Sequence, residues 1–204
     1  MKTHRFASHT PEEKRRLSNL GHIVEGLLLG AVGALALLTG IGIANWAATA
    51  WAILILVAGL LLLLLIYPRH PLSDWPAIWS DAQQRQHTII AAAIALAGAA
   101  ELLKGSVSLL AYVWPIVAIL IGVLFMIHEQ HGTGQAISQA VWQHRMLGVT
   151  IVIAGLLRLA EVTTAASLLA ILWPLALLTA AEQLLLYREP EGAYEEGSHD
   201  SGHG

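Results

Sequence analysis

The chain has 204 residues, of which 56% are hydrophobic and 12% charged, and its formal net charge is −3 at pH 7. With a mean hydropathy of +0.63, the chain is too apolar and too weakly charged for a soluble domain. The sequence contains no cysteine, which excludes a disulfide framework and a thiolate metal site. We therefore expect an integral membrane protein whose chemistry depends on a small number of polar residues.

The first 21 residues form a separate N-terminal segment. Thr10 and Glu13 have the spacing of a capping box, and Pro11 falls at the first helical position. Because Gly21 is a typical helix end, the pattern predicts a short helix over 11–20 on the membrane surface.

Six apolar segments follow, each close to the roughly 20 residues that cross a bilayer as a helix. We place them at 22–43, 46–67, 87–104, 107–127, 145–162 and 165–187. The predicted fold is an all-α polytopic membrane protein with six transmembrane helices and short interfacial helices. Its transmembrane domain covers 22–188 as the hairpins 22–67, 87–127 and 144–187, and a polar tail covers 189–204.

The three predicted hairpins repeat one pattern. A histidine opens each hairpin, and a tryptophan follows 27 to 29 positions later in its second helix: His22 and Trp51, His87 and Trp114, His144 and Trp173. A repeat of this kind predicts three stacked units that bury their faces against one another. The tryptophans would fill equivalent spaces around a pseudo-threefold axis, and a pocket or stacking site is the alternative.

The loops predict how the protein lies in the membrane. The two long loops, 68–86 and 128–143, and both termini share one side with nearly all lysines and arginines, so the positive-inside rule makes this side cytoplasmic in a bacterial inner membrane. Helices over 73–86 and 135–143 would lie on that surface. An aromatic belt is expected from Tyr67, Trp75, Trp79, Trp142 and Tyr187.

Four ionisable residues lie within the spans on the short-loop side. Glu101 and Lys104 are three residues apart, as are Arg158 and Glu161, a spacing that brings each pair together on one helix face. The sequence predicts two self-neutralised ion pairs that hold helix ends. A proton or ion pathway is the alternative, because charges within a membrane are costly and often functional.

All ten histidines are predicted on the loop-bearing side. If the hairpins surround one axis, the three hairpin-opening imidazoles would lie at one depth with other ligands nearby. The candidate metal ligands are His22, Glu25, His87, His128, His131 and His144. Imidazole and carboxylate ligands suit zinc or copper. Interfacial histidines that share no ligand are the alternative.

Two resemblances accompany these patterns. Three apolar hairpins with glycine-rich openings and a Trp-Pro pair in the later helices resemble HdeD-type acid-stress membrane proteins of bacteria. The stretch 128–134, followed by His144 and Arg145, is similar to loops of copper-resistance D-type membrane proteins. The second resemblance implies a periplasmic metal site, whereas the basic residues indicate a cytoplasmic one.

Together these features predict a non-enzymatic membrane protein that handles copper or zinc in resistance, delivery or sensing. The alternatives are a structural accessory or assembly subunit of a larger membrane complex and a b-type haem protein with paired histidines. No catalytic constellation or nucleotide-binding motif is visible. The expected partners are the lipid bilayer and other membrane subunits or further copies of the chain, but no nucleic acid.

Overall fold

The computed structural model describes residues 10–66, 79, 82–127 and 135–190. Its described part contains six α-helices. Together with a short 3₁₀ segment before the fourth helix, they form six spans long and apolar enough to cross a membrane, as the predicted fold requires. The helices are α1 (Pro11–Gly40), α2 (Trp46–Ile66), α3 (Ala82–Leu103), α4 (Val113–Ile127), α5 (Gln135–Thr164) and α6 (Leu169–Leu186). A 3₁₀ segment, Ser108–Tyr112, precedes α4.

The separate surface helices predicted at 11–20 and 135–143 are wrong, because both stretches continue into the membrane spans. The capping box at Thr10 and Glu13 does begin α1, but the helix runs through Gly21 without a break to Gly40. A helical glycine costs only about 1 kcal/mol, which the continuous backbone hydrogen bonds outweigh. In the same way, α5 runs unbroken from Gln135 to Thr164.

Some predicted features lie outside the described residues. These are Tyr67, Trp75, most of the predicted helix 73–86, and the loop that carries His128 and His131. The final part of that predicted helix, residues 82–86, belongs to α3.

The three hairpins close into a ring. The most extensive helix contacts join neighbouring hairpins: α2 with α3, α4 with α5, and α6 back to α1. We call these three interfaces the seams. The two helices of a single hairpin contact each other less extensively than the helices that meet at a seam.

Glycines allow the backbones to approach closely at every seam. An added Cβ on Gly98 would lie less than 3.0 Å from the backbone of Leu56, and one on Gly122 would lie 2.6 Å from the carbonyl oxygen of Gly148. On the third seam, a Cβ on Gly26 would meet Leu185 at 2.9 Å. In lipid, helices associate through such van der Waals packing rather than through the hydrophobic effect. These three glycines therefore lie at the interfaces between hairpins.

The centre of the bundle holds the three repeated tryptophans, as the repeat predicts. Trp51, Trp114 and Trp173 are all buried. The Trp51 ring centroid lies 6.4 Å from that of Trp114 and 5.6 Å from that of Trp173. The three indole rings therefore lie close together inside the bundle.

Gly98→Ala should destabilise the protein, because the new methyl group would overlap the backbone of α2. Overpacking of this kind costs roughly 1–3 kcal/mol. The measurement is the thermal unfolding temperature of each purified variant in detergent. Gly21→Ala is the control, since nothing lies within 4 Å of its added Cβ, and it should keep or raise the unfolding temperature. Equal unfolding temperatures for the two variants would contradict the seam packing.

Candidate functional site

A cleft with both polar and apolar lining residues opens between α1, α5 and α6 at the loop-bearing end. We call it the histidine cleft, and its volume is about 220 Å³. Its polar lining is His22, Gln143, His144, Gln183 and Tyr187. Its apolar lining is Trp142, Met146, Leu147, Leu184 and Leu186.

The two histidines of the cleft have the same local geometry. The Nδ1 of His22 lies 2.8 Å from the carbonyl oxygen of Ser18, and the Nδ1 of His144 lies 2.8 Å from that of Ala140. A carbonyl can only accept a hydrogen bond, so Nδ1 must be the donor in both rings. In the neutral form, Nε2 is then the ring nitrogen that carries the lone pair. The ring centroids are 5.9 Å apart.

Tyr187 fixes both rings from one side. Its ring stacks on His22 at 4.0 Å and meets the edge of His144 at 5.3 Å between centroids. Its hydroxyl donates to Glu189 at 3.1 Å, and the Ser18 hydroxyl donates to the same carboxylate oxygen at 2.7 Å. The prediction of Tyr187 as a belt residue is therefore wrong, because this side chain is buried against imidazoles, with 5% exposed.

Two glutamines that the sequence analysis missed complete the polar lining. The Gln183 amide nitrogen donates to the Thr150 hydroxyl at 3.1 Å, which orients its oxygen away from that bond. The oxygens of Gln183 and Gln143 are both buried and receive no hydrogen bond from any residue that the structure describes. A glutamine within an apolar span was the available signal, since polar residues in a membrane helix are costly.

The other predicted metal ligands are not gathered in this cleft. Glu25 is not among its lining residues, and His87 has an exposed side chain. His128 and His131 lie outside the described residues. Among the residues that the structure describes, no group of three or more histidines and carboxylates could hold a metal. The structure therefore brings together two of the three hairpin-opening histidines as a candidate pair.

The four intramembrane charges form one network instead of two separate pairs. Both predicted pairs exist, Lys104 with Glu101 and Arg158 with Glu161, the second at 2.6 Å. Arg158 also donates to Glu101 at 3.1 Å and so joins α5 to α3. The prediction of two self-contained pairs is therefore wrong. Glu101 and Arg158 each lie fourteen positions after the histidine that opens their own hairpin, so they occupy equivalent positions in the repeat. Equivalent positions of neighbouring hairpins face each other across the pseudo-threefold axis.

The tryptophans and the charges belong to the same cluster. The Arg158 guanidinium lies 5.1 Å from the centroid of Trp173 and 5.9 Å from that of Trp51. Lys104 lies 5.5 Å from the Trp51 centroid. Such cation–π contacts contribute roughly 0.5–2 kcal/mol each, more when desolvated. The cluster thus links all three hairpins.

Several polar atoms of this cluster have no hydrogen-bond partner among the described residues. They are Glu101 Oε2, Arg158 Nε, Trp114 Nε1 and Trp173 Nε1, and all are buried. Each unsatisfied group costs roughly 1–3 kcal/mol. The cluster therefore depends on its charge pairs and ring contacts to remain folded inside the membrane.

No known protein family, curated protein or solved structure matches the chain. The resemblances to HdeD-type and copper-resistance D-type proteins therefore stay predictions from the sequence. The protein has two polar regions with distinct chemistry, the histidine cleft at the loop-bearing end and the charged network at the short-loop end.

Arg158→Met should lower the free energy of unfolding by roughly 3–5 kcal/mol, the usual cost of removing one partner from a buried ion pair. The physical reason is that Glu161 loses its partner and Glu101 keeps only Lys104. Reversible denaturation in mixed micelles measures the change. Arg145→Met is the control, because that arginine is exposed on the same helix. Equal free energies of unfolding for the two variants would show that the charged network does not stabilise the protein.

Proposed function

We propose that the protein binds a transition-metal cation in the histidine cleft and that it serves metal handling in a bacterial membrane. The carrying observation is that one cleft holds two neighbouring imidazoles, His22 and His144, together with the amide oxygens of Gln143 and Gln183, which receive no hydrogen bond from the described residues. A metal cation suits this set, because imidazole nitrogens and amide oxygens both offer lone pairs that it can accept.

The spacing of the two imidazoles supports this proposal. An ion about 2.0–2.1 Å from each Nε2 would separate the two ring centroids by roughly 5–6.5 Å, depending on the angle at the metal. The separation in the cleft is 5.9 Å. The pair therefore has a span that suits one shared ion.

The environment of the rings also supports the proposal. Metal-binding histidines usually donate their other ring N–H to a carbonyl or carboxylate, which fixes the tautomer. Both His22 and His144 do so through the backbone of their own helices. Imidazole nitrogens with oxygen ligands suit zinc or copper. His87, His128 and His131 stay candidates for further ligands.

The rim of the cleft favours a second candidate ligand. Trp142, Met146 and Leu186 line the cleft and have exposed side chains. In the bilayer these side chains would face lipid, so a lipid-soluble molecule with hydroxyl donors could also enter. A quinol has this chemistry, because its two O–H groups can donate to imidazole and amide acceptors.

Metal binding tests the proposal directly. Purified protein should bind about one Zn²⁺ or Cu⁺ per chain in competition with a chelator. His22→Ala and His144→Ala should each weaken the affinity by at least about tenfold, because metal-ligand networks show losses of that size even for outer-shell changes.

A neighbouring pair of residues supplies the matched control. Gln183→Leu should weaken metal binding, whereas Glu182→Leu should not, since Glu182 has an exposed side chain outside the cleft lining. Affinities that do not depend on His22, His144 and Gln183 would refute the metal site. Binding of a quinol in the absence of metal binding would favour the second candidate.

A further inference from the structure

Glu25 is a carboxylate on the core-facing side of α1. Val32 and Ala36, seven and eleven positions further along, share its helix face and are 2% and 1% exposed. The lipid-facing side of α1 carries Leu20, Val24 and Leu27, which are all exposed. Glu25 itself is partly buried and lies toward the loop-bearing end of the bundle.

The internal repeat also places Glu25 on the core-facing side of α1. It follows His22 by three positions, and the equivalent residues of the other hairpins are Ile90 and Leu147. Leu147 is a buried core residue, and Ile90 packs against the core cluster. One carboxylate therefore replaces an aliphatic side chain in a layer that is otherwise apolar.

No described residue forms a hydrogen bond or ion pair with Glu25. Helix α1 packs against α2 and α6. Helix α2 contains no ionisable residue, and the one in α6, Glu182, has an exposed side chain. On α1, His22 is one turn away and belongs to the histidine cleft, as does His144 on α5. Within the part of the chain that the structure describes, Glu25 thus has no counter-charge.

We propose that Glu25 is a binding site for a proton or monovalent cation inside the bundle, separate from the histidine cleft. An isolated carboxylate in a membrane interior is stable when it binds a proton or a cation that removes its charge. The proton or cation would come from the loop-bearing side, which is the end of the bundle nearer to Glu25.

An apolar layer separates this site from the charged network. By repeat position, Glu101 and Arg158 lie eleven residues deeper than Glu25, which is about 16 Å along a helix. The layer between them includes Val32, Ile151 and Ala154, all buried. The site therefore exchanges with one side of the membrane in this conformation.

Carbodiimide labelling of the full-length protein in lipid vesicles tests the proposal. Dicyclohexylcarbodiimide, which is lipid-soluble and reacts with protonated carboxyl groups, should form an adduct on Glu25 that mass spectrometry of peptides detects. Glu101, which is held by two cations, should stay unlabelled. If labelling falls with rising pH and does not respond to Na⁺ or K⁺, Glu25 is a proton site. If Na⁺ or K⁺ protects Glu25 from labelling, it is a cation site. Either result supports the proposal.

Two comparisons can overturn it. A water-soluble carbodiimide should label Glu12, which is exposed in the first turn of α1, but not Glu25; equal labelling of both would show that Glu25 is an ordinary surface carboxylate. No Glu25 adduct with the lipid-soluble reagent at any pH would also overturn the proposal. Glu25→Gln should lose the adduct while keeping its unfolding temperature. His144→Ala should keep the adduct, which separates this site from the proposed metal site.

Discussion

Close backbone contact between hairpins is the constraint on which the rest of this structure depends. Helices gain little from burying apolar side chains when the solvent is lipid, so their association requires van der Waals contact and polar links. Gly98, Gly122 and Gly26 provide that contact at the three seams. Once the ring closes at these seams, the first helices of neighbouring hairpins present equivalent positions to one another. The locations of both polar ends follow from this closure.

The polar residues occur where the threefold repeat is broken. At one layer the three hairpins carry Ala36, Glu101 and Arg158, and the opposite charges of the last two meet at 3.1 Å. At the layer nearer the loops, Glu25 stands in place of an aliphatic residue. A symmetric apolar bundle would need none of these groups. Their cost in a membrane favours roles in cross-linking or binding over simple packing.

The two ends of the bundle differ in chemistry. The short-loop end contains balanced charges that neutralise one another beneath three indole rings, which suits a structural link between hairpins. The histidine cleft contains two glutamine oxygens that receive no hydrogen bond from the described residues, and imidazole rings held in place by Tyr187 and by the carbonyls of Ser18 and Ala140. Rigid, unsatisfied acceptors suit a ligand that supplies positive charge or hydrogen-bond donors.

The sequence by itself determined the class of protein, the six spans, the repeated hairpins and the two i, i+3 ion pairs, because hydropathy and helical spacing are local properties. It misplaced the ends of α1 and α5, since one glycine or turn signal cannot outweigh continuous helical hydrogen bonding. Tertiary structure alone decided that Arg158 reaches Glu101, that Tyr187 stacks on His22, and that Gln143 and Gln183 line one cleft. Those contacts depend on how each helix is rotated within the closed ring, which no spacing along the chain specifies.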